Sequence, residues 1–239
     1  TQEQQAKQRT DGTGGGIATG SLTKNGSAAV TINSANTYTG GTIINNGTLT
    51  VNGSLADSGA VTINGGTYAV GSNDTVGAVT LTGGTISGAG TLTGASYALQ
   101  NGTVSANLAG TGSALAKSTA GTVTLSGNNS YTGTTTVSAG TLAISGGTSS
   151  IGNLAVIGGL VNITSGTVNV ASTVGNTVLS GGGDVTVSGG NLNITDPGNN
   201  GFFTIGRDAG DSIMSVSSGS VSVAVRFGTQ VGAGSGSPV

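Results

Sequence analysis

Asn36-Thr37-Tyr38-Thr39-Gly40 returns as Asn129-Ser130-Tyr131-Thr132-Gly133, and the two tyrosines stand 93 residues apart. The same displacement pairs Leu22 with Leu115, Lys24 with Lys117, Val30 with Val123, Gly47 with Gly140, Leu49 with Leu142 and Gly59 with Gly152, without insertion or deletion. A duplicated block that keeps its phase through strands and turns alike marks a repeat architecture, in which each unit buries its apolar residues against the next.

Composition narrows the class. The chain has 48 glycines but only 2 prolines in 239 residues, and Val, Ile and Leu recur throughout, which suits neither collagen nor a flexible linker. A mean hydropathy of +0.17 with 6% charged residues is far from the charge-rich signature of disorder. Aromatic residues make up 3% and tryptophan is absent. The interior must therefore be narrow and built from small β-branched side chains, which fits an elongated solenoid better than a sphere.

Short alternating runs supply the elements: Val30-Thr31-Ile32, Thr48–Val51, Val61–Ile63, Val79–Leu81, Val123–Leu125, Thr141–Ile144, Leu154–Val156, Val161–Ile163, Val168–Val170, Val185–Val187 and Leu192–Ile194. Apolar residues at every second place, separated by Gly, Asn and Ser, predict half-buried strands joined by tight turns. Val61–Thr67 and Val79–Thr85 follow one pattern 18 residues apart, about one coil of a parallel β-helix. With coils of roughly 18 to 25 residues, the chain is expected to be all-β, a β-solenoid of about ten coils and about 50 Å long.

Three regions follow. Residues 1–19 are polar and read as a tail, a cap or a docking arm. Residues 20–197 form the solenoid with its duplicated block. Residues 198–239 continue as glycine-rich coils of a second repeat type, after the turn cluster Asp196-Pro197-Gly198-Asn199-Asn200-Gly201.

Charge and missing residue types exclude several functions. Net charge is −2, and residues 118–183 carry no charge at all, so no basic face exists for nucleic acid. With no cysteine or histidine, disulfides, thiolate or imidazole metal sites and the commonest general base are all excluded. No cofactor or metal is expected. No apolar run reaches the length of a membrane-spanning helix, so no membrane insertion by this chain is expected.

The motifs read as scaffold. Gly-Gly at 65-66, 83-84, 158-159 and 189-190 is expected to allow positive φ at coil corners and to leave room for the next layer; a phosphate cradle would need a following helix, and none is predicted. Asn36 and Asn129 read as turn or ladder asparagines, and Tyr38 and Tyr131 as packed rungs with a polar tip. Together with Gly40, Gly47, Leu49, Gly133, Gly140 and Leu142 they are the positions expected to define the repeat.

A sugar-cleaving β-helix would need paired carboxylates or a metal-bound base. The chain has one Glu and seven Asp; Asp57, Asp74 and Asp184 are isolated, and Arg207, Asp208 and Asp211 form the only local cluster. The next repeat has Ala233-Gly234-Ser235-Gly236 in that place, which marks these charges as loop decoration. Threonine pairs, among them Thr37 with Thr39, Thr48 with Thr50 and Thr134 with Thr136, raise a third possibility: a flat hydroxyl array that orders water or ice. That reading requires an unbroken Thr-x-Thr column through successive coils, and β-propensity explains threonine equally well without one.

The stretch Ser96–Leu108, followed by Gly121–Gly133 and Gly140-Thr141-Leu142, closely resembles the autotransporter-associated β-strand repeat. The resemblance covers residues 20 to 165 best. It implies a right-handed parallel β-helix exposed outside a bacterial cell, in the passenger region of a surface protein. Passengers include adhesins, matrix proteins and enzymes on one scaffold, so the resemblance implies a location more than an activity. The reading reached is a secreted, noncatalytic structural or adhesive solenoid of the bacterial surface or matrix, with a polysaccharide-binding or polysaccharide-cleaving β-helix as the alternative. A parallel solenoid leaves an unpaired strand edge at each end. Gly232–Val239 offers no obvious cover and Thr1–Thr10 is polar; if these are mature ends, end-to-end self-association into a fibre is expected, and if they are cleavage ends the rod is one piece of a longer surface protein. Surface glycans and other cells are the remaining candidate partners.

Overall fold

In the computed structural model, residues 20–172, 177–197, 202–206 and 211–227 are described. Expectations that concern residues 1–19, 198–201, 207–210 and 228–239, including the terminal arms and the Arg207-Asp208 pair, lie outside them. The described chain is all-β and winds into two parallel sheets, one of 13 and one of 10 strands. Each winding adds one strand to the smaller sheet, giving ten rungs and the solenoid that the alternation predicts.

Alternation decides the winding. In Val61–Ile63 the two aliphatic residues point inward at 1% and 0% exposure while Thr62 stays half-exposed. Val61 then lies in register with Val79, and Ile63 with Leu81. Like therefore stacks on like, because a one-residue slip would turn every apolar side chain to solvent. Thr48–Val51 and Thr67–Val70 repeat this in the second sheet, Leu49 under Tyr68 and Val51 under Val70.

Each rung is buried by the one above it. Val187 is wholly buried beneath Val216, but Val216, with no further described rung of this sheet over it, is 48% exposed. At about 25 cal/mol per Å² of apolar surface, contact between coils supplies most of what holds a coil in place.

Two features depart from the sequence reading. Coil length ranges beyond the roughly 18 to 25 residues expected: partners in the early coils lie 18 to 20 residues apart, whereas Asp184 reaches Ile213, 29 residues on. In the later coils Leu160–Ala171 and Asp184–Thr195 also run through the corner as continuous strands, with no turn between their apolar halves. The register between Thr141–Ile151 and Leu160–Ala171 shifts at Ser145. A bulge there bends the strand where a tight turn was expected.

The glycine pairs also need correction. Positive φ occurs at Gly84 (88°) and Gly158 (90°) but at neither residue of the 65-66 or 189-190 pairs. Those pairs are required by space. A Cβ on Gly66 would stand 2.7 Å from Ile44 Cγ2, and one on Gly190 would stand 2.6 Å from Ile163 Cγ2.

Candidate functional site

The repeat's polar side chains turn inward. Lys24 and Lys117, equivalent in the two blocks, are 3% and 0% exposed. Each closes the strand that carries it, Leu22–Lys24 and Leu115–Lys117, and reaches into the following corner. Lys24 Nζ donates to the carbonyls of Gly26 and, at 3.1 Å, of Asn46 in the next coil. Lys117 Nζ donates to the carbonyls of Thr119 and, at 3.1 Å, of Ala139. An ammonium bridging carbonyls of two successive coils satisfies groups that a tight corner leaves without partners. Burial pushes the Lys117 ammonium below the ordinary lysine range.

Gly47 and Gly140 close the same corners at φ of 67° and 65°. A Cβ on Gly47 would stand 2.6 Å from Lys24 Nζ, and one on Gly140 would meet the carbonyls of Thr119 and Gly121. The backbone conformation excludes a side chain at both, reinforced by the lysine head at Gly47 and by backbone carbonyls at Gly140. Two residues on, Leu49 and Leu142 are buried at 0% and 2%. Gly40 and Gly133 pass against the backbone of the coil below, at Gly20 and Ser113.

The tyrosines and asparagines tie coils together as well. Tyr131 is buried, its hydroxyl 3.0 Å from Thr135 Oγ1, and half-buried Tyr38 makes the same bond to Thr42 Oγ1 at 2.7 Å. Tyr131 also packs on Tyr97, with ring centroids 5.8 Å apart. Tyr97 in turn accepts the Gly94 N–H at 2.7 Å and lies 2.6 Å from the Ala109 carbonyl. Asn129 accepts the Leu108 N–H at 3.1 Å and donates to Gly127 O and Ser149 Oγ. Asn36 donates to Ser34 O and Ser54 O, both at 3.2 Å.

Asp74 is the residue whose role sequence reasoning missed, having seen an isolated carboxylate. It is 2% exposed. Its Oδ2 accepts the Tyr68 hydroxyl at 2.5 Å and its Oδ1 accepts the Leu55 N–H at 3.0 Å. Asp74 thus caps the rung below as Asn129 does, with a carboxyl in place of an amide. Burial raises its carboxyl above the usual range, against the lowering effect of the Tyr68 and Leu55 hydrogen bonds.

Outside the wall, asparagines stack at one corner. Asn45 Nδ2 donates to Asn25 Oδ1 at 2.6 Å, Asn64 Nδ2 to Asn45 Oδ1 at 2.7 Å, and Thr82 Oγ1 to Asn64 Oδ1 at 3.0 Å. A small void of about 10 Å³ beside Tyr131, lined by Leu142, Ile151, Leu154 and Val168, holds at most one water. Among the described residues no cluster of His, Cys, Asp or Glu could hold a metal, and no helix is long and apolar enough to cross a membrane. Asp211 is exposed.

The geometry therefore defines a class: a parallel β-solenoid whose repeat-specific side chains clamp one coil to the next. The family model described as the passenger-associated-transport-repeat matches residues 22–51 and again residues 115–144, the two blocks that carry Lys24 and Lys117. The resemblance to autotransporter-associated repeats is thereby shown, and fold and repeat together fit the passenger region of a surface protein. No curated protein and no solved structure matches the chain.

Proposed function

We propose that the chain is a noncatalytic structural rod of the bacterial surface or extracellular matrix, joined end to end with further copies and presenting its walls for adhesion. One observation carries the reading. Lys24, Lys117, Asp74, Tyr97 and Asn129 are buried and bonded to neighbouring coils, and buried Tyr131 bonds Thr135 and packs on Tyr97. They hold the winding in register instead of facing a substrate. The outward corner of Asn25, Asn45, Asn64 and Thr82 offers amides and hydroxyls of the kind that pair with the hydroxyls of neutral surface glycans.

Electron microscopy of the purified chain across a concentration series tests assembly: filaments that lengthen with concentration are expected, and discrete short particles at every concentration overturn it. Incubation with neutral and acidic polysaccharides tests the rest. Unchanged glycans are expected, and turnover would overturn the noncatalytic reading.

A further inference from the structure

A single threonine column runs up the second sheet, although the Thr-x-Thr pair holds only at Thr48 and Thr50 and gives way to Thr-x-Ala and Thr-x-Ser in the next coils. Thr48 lies in register with Thr67, Thr67 with Thr85, Thr85 with Thr103, and Thr103 with Thr124. All five stand on the outer face, each directly before an inward apolar residue, and none is buried. Two places further along each strand stand Thr50, Ala69, Ser87, Ser105 and Ser126, again all outside the core. Five successive coils thus present two parallel columns of small hydroxyl and methyl groups. None of the ten positions carries a charge or an aromatic ring.

The spacing of such a face is set by the backbone. Stacked strands repeat at roughly 4.8 Å and alternate residues along a strand at roughly 6.8 Å. These are close to the two repeats of the prism face of hexagonal ice. Threonine adds rigidity, because its branched Cβ restricts χ1 and presets where hydroxyl and methyl sit, so little rotamer entropy is lost when water freezes onto them. A charged face would instead hold its own tight hydration shell. The inward threonines behave differently: Thr42 and Thr135 bond to Tyr38 and Tyr131, whereas the column faces solvent.

We propose that this outer face, centred on Thr85, orders water into an ice-like layer and adsorbs to ice. The first sheet supplies an internal control. Thr80 is half-exposed on that sheet, between Thr62 and Ala98 in register, in a column interrupted by Ile43 and Ala98.

The test is thermal hysteresis and inhibition of ice recrystallisation by the full chain, with Thr85→Lys and Thr80→Lys compared after circular dichroism shows both folded. Wild type and Thr80→Lys are expected to arrest crystal growth, and Thr85→Lys to lose the effect down to the buffer level. Thr103→Tyr, which adds bulk without charge, is expected to lose it as well and serves if the lysine variant does not fold. Absence of activity in the wild type, or equal activity in the Thr80 and Thr85 variants, overturns the proposal. So does sedimentation showing that the face pairs two rods, with dimers broken by Thr85→Lys and no hysteresis.

Discussion

The two blocks that match one repeat differ most where they meet their neighbours. Tyr131 is buried and Tyr38 only half-buried; Asn129 is 2% exposed and bonded on three sides, whereas Asn36 is half-buried. The bonds they share are the same in kind: tyrosine to the threonine four residues on, lysine to two corner carbonyls, glycine at positive φ. The second block has described coils on both sides and the first on one side only. Local geometry therefore follows from the repeat, while burial, and with it most of the energy, follows from how many coils cover it.

Truncating the tyrosines should widen that difference most. Tyr131→Ala is expected to cost about 3–5 kcal/mol, since it empties an interior place against Tyr97, and Tyr38→Ala about half as much. Hydrogen exchange of the flanking rungs is the appropriate readout, because a solenoid opens coil by coil. Equal losses at the two sites would show that cover by neighbouring coils is not what separates them.

The lysines should differ less. Lys117→Met removes a charged donor from the Thr119 and Ala139 carbonyls, an effect of roughly 1.5–3 kcal/mol that is partly offset because the ammonium no longer has to be buried. A net loss of about 1 kcal/mol is expected at residues 115–144, with a smaller loss for Lys24→Met at residues 22–51. A stabilised Lys117→Met variant would mean that the corner carbonyls find other donors.

The smallest contrast sets Asp74 against Asn129, two caps of which only the first can titrate. The Asp74 carboxyl titrates above its unfolded value, so the folded state holds the proton more tightly. That contribution is fully present below the ordinary carboxylate range and is lost as pH rises through the raised folded value. Thermal melts should therefore show the wild type gaining stability on mild acidification relative to Asp74→Asn, whose curve should be flat over the same interval. Parallel curves for the two proteins would remove Asp74 as the source.

Much of this was legible in the residues. All eleven alternating runs are strands, and the 93-residue displacement falls on the two matched repeats. The lysines were visible as a recurring pair, but nothing in their neighbours said that they turn inward; hydropathy places a lone lysine outside. Asp74 failed for the same reason, since the groups that satisfy it, Leu55 N–H and Tyr68 O–H, come from the coil below and from six residues earlier. The threonine column lay hidden because coils of unequal length shift the sequence spacing: Thr85 to Thr103 spans 18 residues and Thr103 to Thr124 spans 21.

By itself, the order of residues determined the winding: period-two alternation admits one inward face, and glycine and asparagine mark where each strand must bend. Only the stacked structure decided which polar groups became clamps and which became surface. That choice depends on what the coil above and below place within hydrogen-bond reach, and register between coils is a tertiary property that a linear spacing does not carry.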